Sequence, residues 1–388
     1  VKLKPFIERI ISEIGPRPAG STSEYRAGEI IADELRKRTA EVRYHDTTVC
    51  PNIIHGLINM MIGVYLFSAL IFLFLPLASA IIIGVLLTAL LLMRIFGNRV
   101  IDWLFHSTPT RNIIGIFRPK GMAEKILIFS GHHDSPNMMP LFSQPYKPYI
   151  HLFETVVLVC MGLLIPSGII RTITSGPATL LPSLGWFDLL YAVSLVGLIP
   201  GFFYRFKMIS PERNLGANDN LSSVAVLLGI ADHLKKKRLK KTEVWLISFG
   251  SEEPLIYGSA GFARDFPDLI KKAVHFNMET LGAGDLAVIR KEKMTMTAYT
   301  PEVIAFIQRA GKRAGFELPA IDITYGGTDS YPIIKAGGRS ACLFGMDETE
   351  LFSLWHCPDD NPDNIDENNL QKALQICIEA IREYDEEG

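Results

Sequence analysis

The sequence predicts an α/β fold: a mostly parallel (mixed) central sheet with helices on both faces, plus about four transmembrane helices in two inserted hairpins. Three observations point there. Runs of β-forming residues alternate with amphipathic helical stretches before Pro51 and again after Thr110. Several of these runs end in Gly, His or paired carboxylates. Between them lie long apolar stretches, one of which, Gly56 to Met93, has no charged side chain.

The central run is Val244-Trp245-Leu246-Ile247-Ser248-Phe249-Gly250-Ser251-Glu252-Glu253. A short apolar run of this kind is a buried strand of a parallel sheet. In open α/β sheets, ligand sites lie outside the carboxyl ends of such strands. Two adjacent acids there repel each other unless they share a cation or a proton. A solvated Glu pair at a strand exit is the ordinary alternative.

Composition bounds the class. The 388 residues can hold one large domain or two or three smaller ones. A formal net charge of −2 gives no electrostatic case for nucleic-acid binding. With 48% hydrophobic residues, the chain combines membrane content with an ordinary soluble domain. The five cysteines contain no CxxC pair, so neither a disulfide framework nor a thiolate zinc site is indicated. Lys2, Lys4, Glu8, Arg9 and Glu13 interrupt any apolar run at the start, so no cleavable signal peptide is expected.

In order, Phe6 to Ile14 reads as an amphipathic helix closed by Gly15-Pro16-Arg17-Pro18-Ala19-Gly20-Ser21. A second helix runs from about Ser23 to Thr39, capped by Ser21 or Ser23, with Ile30, Ile31 and Leu35 on its apolar face. Glu41 to Val49 alternates as a strand. As one helix, the uncharged run from Gly56 to Met93 would reach ~57 Å, about twice the ~30 Å hydrocarbon core. Pro76 near its middle makes it a hairpin, Gly56–Leu75 and Leu77–Met93, rather than a buried core pair. Asn112–Phe117 and Lys125–Ser130 are strands, the second followed by Gly131-His132-His133-Asp134-Ser135. His151–Ile170 and Phe187–Phe203 form the second apolar pair; Glu154, Pro166 and Pro200 leave a re-entrant or interfacial arrangement as the alternative. Two hairpins return the chain to one side, which keeps the soluble segments together.

After Pro211 come a helix, Leu221–Leu234, behind Asn218-Asp219-Asn220, and the basic run Lys235–Lys241. That run is a helix C-terminal turn and solvated loop, with a lipid-headgroup contact as the alternative. The central strand follows, then a helix after Gly258, a strand Ala273–Met278 ending in Glu279, a helix Pro301–Gly315, a strand Ser340–Gly345, His356 in a loop, and a helix Glu367–Tyr384. The predicted organisation is one discontinuous domain (residues 1–52, 108–135 and 208–388) interrupted by hairpins at 53–107 and 136–207.

His132, Asp219, Glu252 with Glu253, Glu279 and His356 each stand at the end of a core element. Two imidazoles with three carboxylates suit zinc or a similar divalent ion, in a number sufficient for two ions sharing a bridging carboxylate. Singly, each has a plain explanation: an Asp before a helix is usually an N-cap, and a lone His is usually a surface or satisfied core residue. The latter is expected for His45, His55, His106, His133, His233 and His275.

The segments Gly131-His132-His133-Asp134-Ser135, Gly216-Ala217-Asn218-Asp219-Asn220, Ser251-Glu252-Glu253, Asn277-Met278-Glu279-Thr280-Leu281-Gly282 and Trp355-His356 resemble the successive motifs of the M28 family of co-catalytic zinc aminopeptidases. Gly15 to Ser21 is similar to that family's N-terminal signature, and Gly327-Thr328-Asp329-Ser330-Tyr331-Pro332 to the motif before its last strand. The match covers ~260 residues, nearly all of the soluble part.

The resemblance implies a dizinc exopeptidase-like fold and a hydrolase acting on peptide substrates with two Zn2+ ions, or another divalent metal. His132 and Glu279 would bind one ion, Glu253 and His356 the other, and Asp219 would bridge. Asp134 would orient the His132 imidazole. Glu252 would be the general base, taking a proton from a bridging water and passing it to the leaving amine. The sequence departs from the family pattern at Glu279, where Asp is common, and at Arg339, where Pro is common. An Arg near the site would pair with a substrate carboxylate and keep a carboxypeptidase or dipeptidase open, whereas the plain reading of Arg339 is a surface residue. Tyr325 is the candidate oxyanion partner.

The apolar insertions set the chain apart from soluble relatives and make the lipid bilayer a partner. Arg94, Arg99, Arg111, Lys147, Arg205, Lys207 and Arg213 flank them on one side, against Arg171 and Asp188 on the other. By the positive-inside rule the catalytic part of this multi-pass protein faces the cytoplasm, in agreement with its unpaired cysteines. Paired hairpins leave a homodimer open. Two other functions compete: a catalytically dead membrane receptor or scaffold, and glutaminyl cyclisation on the same fold with one metal.

Overall fold

The structure is a computed structural model. It describes residues 2–96, 98–142, 146, 149–178, 185, 188–208, 210–349 and 351–386. Lys147 and Phe187, and the side chains of Arg94 and Arg99, lie outside the described residues. The chain divides into two compact units: residues 1–51, 106–138 and 212–388, and residues 52–105 and 139–211.

The first unit is built on nine strands: β1 (Glu41–Val49), β2 (Thr108–Phe117), β3 (Lys125–His132), β4 (Thr242–Phe249), β5 (Val274–Glu279), β6 (Asp285–Glu292), β7 (Thr297–Ala298), β8 (Ala320–Ile323) and β9 (Arg339–Met346). Their order is β1-β2-β4-β3-β5-β9-β6-β7, with β8 paired to β6. The four central strands, β4, β3, β5 and β9, are parallel; β2 and β6 join them antiparallel, and β1 pairs antiparallel with β2. The sheet is thus parallel at its centre and mixed at its flanks.

Side chains alternate across β3 and β4 with the period of two that a pleated strand imposes. Leu127, Phe129, Val244 and Leu246 enter one core; Ile128, Trp245, Ile247 and Phe249 enter the other. The first core takes the apolar faces of α1 (Lys4–Glu13), α2 (Thr22–Arg36), and three later helices, Ser222–Lys236, Pro301–Arg313 and Glu367–Glu386. The second takes Tyr257–Asp265, Pro267–Lys272 and Ser330–Lys335. Both faces of β4 are therefore covered, which is why all eight of its residues are buried. Ser21 caps α2 by accepting the Glu24 amide.

The second unit holds α3 (Ile53–Ile71), α4 (Pro76–Phe96), α5 (Ile150–Gly162), α6 (Leu164–Ser175), α7 (Leu189–Val196) and α8 (Leu198–Met208). The helices of the first unit that follow in the chain are α9 (Ser222–Lys236), α10 (Tyr257–Asp265), α11 (Pro267–Lys272), α12 (Pro301–Arg313), α13 (Ser330–Lys335) and α14 (Glu367–Glu386). Four stretches are long and apolar enough to cross a membrane: Ile53–Ile71, Pro76–Met93, Ile150–Ser175 and Leu189–Met208. The last two are each two helices joined at Leu163 and at Gly197. Tyr65, Phe72, Ile83, Leu86, Met161 and Leu164 form this unit's own core. Phe72 stacks on Tyr191 at 4.1 Å. Arg171 and Asp188 form a buried ion pair at 2.8 Å.

Candidate metal centre

The chain leaves β3 for β4 on one side and returns to its other side for β5, so the carboxyl end of β3 is a switch point of the sheet. His132 is the last residue of β3 and lies in register with Phe249 of β4. Ser130 pairs with Asn277, which places Glu279, the last residue of β5, level with His132. Gly250 and Ser251 carry the chain from β4 to Glu252 and Glu253. Asp219 comes from the turn before α9, and His356 from the loop after β9, at a φ of 53°. Six residues from five segments converge because the sheet brings those strand ends together.

Asp219 divides its carboxylate between the two imidazoles. Its Oδ1 lies 3.2 Å from His132 Nε2 and its Oδ2 lies 3.3 Å from His356 Nε2. Glu279 Oε2 stands 3.5 Å from His132 Nε2, and Glu253 Oε2 stands 3.1 Å from His356 Nε2. Glu252 Oε2 is 3.7 Å from His132 Nε2. Asp134 Oδ1 is 3.2 Å from His132 Nδ1, and the Asp134 carboxylate also accepts the amides of Glu252 and Glu253 at 3.0 and 3.1 Å. Asn220 and Asn277 donate side-chain amides to Glu279. All the sequence-predicted site residues, His132, Asp134, Asp219, Glu252, Glu253, Glu279 and His356, are thus brought to one place.

The electrostatics describe a site overloaded with negative charge. Burial pushes Glu252 well above the usual carboxylate range, against the pull of His132. Burial and the Asp219 charge raise Glu253 to about 7, and burial raises Glu279. Burial opposes protonation of His132 and His356, but the carboxylates outweigh it: Glu279 and Glu252 hold His132 well above its ordinary value, and Glu253 and Asp219 raise His356 to about 9. Asp219 is held low despite burial, by its bonds to both imidazoles. In the absence of another cation, these groups bind protons to offset one another. A divalent ion meets the same need with charge to spare.

The donors fit zinc. One ligand atom each from His132, Asp219 and Glu253 lies within 4.8 Å of the others. Glu253 Oε1 is buried with no hydrogen-bond partner, a costly state for a carboxylate oxygen unless a cation takes it. Nitrogen and oxygen donors without thiolate match the borderline preference of zinc.

One expectation needs correction, and others hold. Asp219 is not a helix N-cap: α9 begins at Ser222 behind Leu221, with no side-chain cap, because the Asp219 carboxylate is turned to the imidazoles. Arg339 does not reach the site. It is the first residue of β9, in register with Val274 at the start of β5, and its exposed guanidinium donates to Lys272 O. It sits at the opposite end of the sheet from Glu279, so it supplies no receptor for a substrate carboxylate. His133 and His275 are satisfied core residues as expected: each is buried, bonded to Ser248, or to Ser130 and Ser340, and lowered by burial, to about 4 and about 3. Tyr325 is nearly buried, 9% exposed, in the loop after β8.

Three charged residues behind the site went unassigned in the sequence. Arg17 is fully buried. Glu24 is buried and accepts the Gly20 amide at 2.8 Å and the Ser251 hydroxyl at 2.7 Å; burial raises it to about 8. Asp360 accepts the amides of Asn218 and Asp219, and burial and the Asp219 charge raise it to about 8. Arg17 and Glu24 lie in or beside the Gly15–Ser21 signature, which was the one available signal. Asp360, in Pro358-Asp359-Asp360-Asn361, reads as an ordinary turn.

This geometry, a carboxylate shared between two imidazoles at the carboxyl ends of a central parallel sheet, is suited to holding a metal ion. Several known proteins are similar to this chain. Residues 200–381 match the model of peptidase family M28. A curated relative, aminopeptidase YwaD of Bacillus subtilis (strain 168), is 31% identical over 173 residues, which is 43% of this chain and 37% of that protein. The chain thus matches about a third of that relative's length. Among solved structures, a glutaminyl cyclase from Bacteroides thetaiotaomicron superposes with a TM-score of 0.59 at 15% identity, covering 98% of this chain and 96% of the other. BSAP, a zinc aminopeptidase from Bacillus subtilis, superposes with a TM-score of 0.58 at 16% identity, covering 99% and 94%.

Proposed function

We propose that the protein is a membrane-anchored dizinc aminopeptidase that removes N-terminal residues from peptides. The observation that carries this is the division of the Asp219 carboxylate between His132 and His356, with Glu279 beside the first imidazole and Glu253 beside the second. In this function His132 and Glu279 would hold one ion and Glu253 and His356 the other, with Asp219 as a ligand available to both. Bound zinc supplies Lewis acidity toward a peptide carbonyl and lowers the pKa of water toward neutrality.

The remaining steps belong to the chain's own groups. Glu252 takes the proton of the attacking water and delivers it to the departing amine, from a position beside the His132 imidazole. Asp134 fixes both the His132 ring and the backbone that carries Glu252. The acid-rich walls favour a substrate ammonium, which selects a free N-terminus. The four apolar stretches anchor the chain in a bilayer, with the catalytic unit, residues 1–51, 106–138 and 212–388, on the cytoplasmic side by the positive-inside rule.

Detergent-purified protein and a Glu252→Gln variant are assayed for release from aminoacyl reporters and a glutaminyl-peptide substrate, with bound metal quantified. Cleavage by the parent alone, with two zinc ions in both, supports the function. Two ions with no cleavage of any free-amine substrate sinks the aminopeptidase assignment. Cyclisation with one ion favours a glutaminyl cyclase. Absence of metal and activity together favours a scaffold.

A further inference from the structure

We infer that Asp360 and Arg17 form a positioning pair that fixes the 214–219 loop, so that the Asp219 carboxylate stays between the two imidazoles; this rests on the metal-binding role proposed above. Neither residue faces the site as a ligand. Arg17 donates Nη1 to Leu215 O at 2.8 Å and to Gly15 O at 3.0 Å, Nη2 to Gly216 O at 2.9 Å and Nε to His133 O at 2.8 Å. Asp360 receives Asn218 N at 2.5 Å and Asp219 N at 3.3 Å. The loop is thus held by its carbonyls at one end and by its amides at the other.

Gly216 makes the arrangement possible. It has a φ of 60°, and a Cβ there would lie 2.6 Å from Asp219 O and 2.8 Å from Arg17 Nη2. No other residue type lets the guanidinium and the turn approach this closely. The pair also reaches both imidazole loops. Arg17 holds the carbonyl next to His132, and Asp360 follows His356 by four residues. Asn214 adds a link, donating to Cys357 O at 2.9 Å. Three ligand-bearing loops are therefore tied through two buried polar side chains. Without the tie, the turn gains freedom that metal binding must remove.

A purely structural clamp would look similar, and the fold contains one for comparison. Asp385 accepts the amides of Lys240, Lys241 and Thr242 where β4 begins. That is the opposite end of β4 from the one that leads to Glu252, and the strand spans ~23 Å at about 3.3 Å per residue.

The test titrates metal-free protein with Zn2+ alone against a chromophoric chelator and measures metal-free thermal unfolding in parallel. Asp360→Ala and Arg17→Gln are expected to weaken zinc binding about 10- to 100-fold. Asp360→Asn keeps an acceptor for the Asn218 amide and is expected to recover part of the loss. Asp385→Ala is expected to lower thermal stability and leave zinc affinity at the parent value. Parental affinity in Asp360→Ala and Asp360→Asn overturns the inference, as does an equal loss in Asp385→Ala. If Asp360→Ala does not fold, Asp360→Asn and Arg17→Lys carry the same comparison. A parent protein that binds no zinc fails the proposed function itself, a separate outcome.

Discussion

The carboxylate of Asp134 holds the backbone of Glu252: its Oδ1 accepts the Glu252 amide at 3.0 Å while lying 3.2 Å from His132 Nδ1. Its other oxygen accepts the Glu253 amide. One fully buried side chain therefore sets the exit of β4 relative to the end of β3. Asp134→Ala frees both at once. It is expected to lower kcat/KM about 10- to 100-fold and to weaken zinc binding, since groups behind ligands commonly have effects of that size. Glu252→Gln, by contrast, is expected to lose activity while retaining metal. Metal titration and peptide hydrolysis on the two variants check the contrast; zinc binding at parental strength in Asp134→Ala would remove the positioning role.

A second buried acid, Glu292, predicts a pH dependence of stability away from the site. It accepts the Tyr299 hydroxyl, the Thr295 hydroxyl at 2.6 Å and the Thr328 amide at 2.9 Å, yet burial raises its pKa to about 7. The folded state binds this proton more tightly than the unfolded chain does. Its stabilising contribution is complete below the ordinary carboxylate pKa and is lost as pH rises through about 7. Across that window the effect is on the order of 3 kcal/mol. Glu292→Gln keeps an acceptor and removes the ionisation, so the variant is expected to lose less stability than the parent between about pH 5 and about pH 8. Thermal unfolding at both pH values checks this, and parallel curves would show that Glu292 does not titrate there.

The legible parts of this chain were those where one physical demand dominates. β4 is a continuous apolar run because both its faces are covered, and its end is marked by Glu252 and Glu253. Strand β1 was bounded at Glu41 and Val49 by its alternation. Strands β6 and β8 were not anticipated. In β6 only Ala287, Val288, Ile289 and Glu292 are buried, and β8 has four residues, one of them buried, so neither carries a clear period. Helices α11 and α13, six residues each, are too short for an apolar stripe to show.

The site was legible as a set of ligand types at element ends, but its support was not. Arg17, Glu24 and Asp360 belong to residue classes that are mostly exposed, and nothing local in a sequence marks the exceptions. Their burial is a tertiary result: Arg17 finds carbonyls at residues 133, 215 and 216, which no spacing rule brings together.

The helical unit predicts sidedness. An even number of crossings returns the chain to its starting side. Cysteine reporters in a cysteine-free background are placed at Met122, 90% exposed between β2 and β3, and at Phe74, between α3 and α4. A membrane-impermeant thiol reagent is expected to modify the first from the cytoplasmic side and the second from the opposite side. Modification of both from one side would mean that α3 does not cross.

The approach of α10 to the end of β4 predicts a steric limit beside the site. A Cβ on Gly258 would lie 2.0 Å from Gly250 O and 2.7 Å from Asn112 Oδ1. The same Asn112 receives the Gly250 amide at 2.9 Å and donates to Gly258 O at 2.9 Å, so the backbone has little room to yield. Gly258→Ala must push α10 away or displace Gly250, two residues before Glu252. The expected cost is roughly 1–3 kcal/mol or more, seen as a lower unfolding midpoint, with kcat/KM falling alongside. Gly121→Ala is the comparison, since its new Cβ would meet only Lys240 O, at 3.4 Å. It is expected to leave both quantities near the parent. Equal stability of the two variants would mean that the contact between α10 and Gly250 yields at no cost, and Gly258 would then not constrain the position of Glu252.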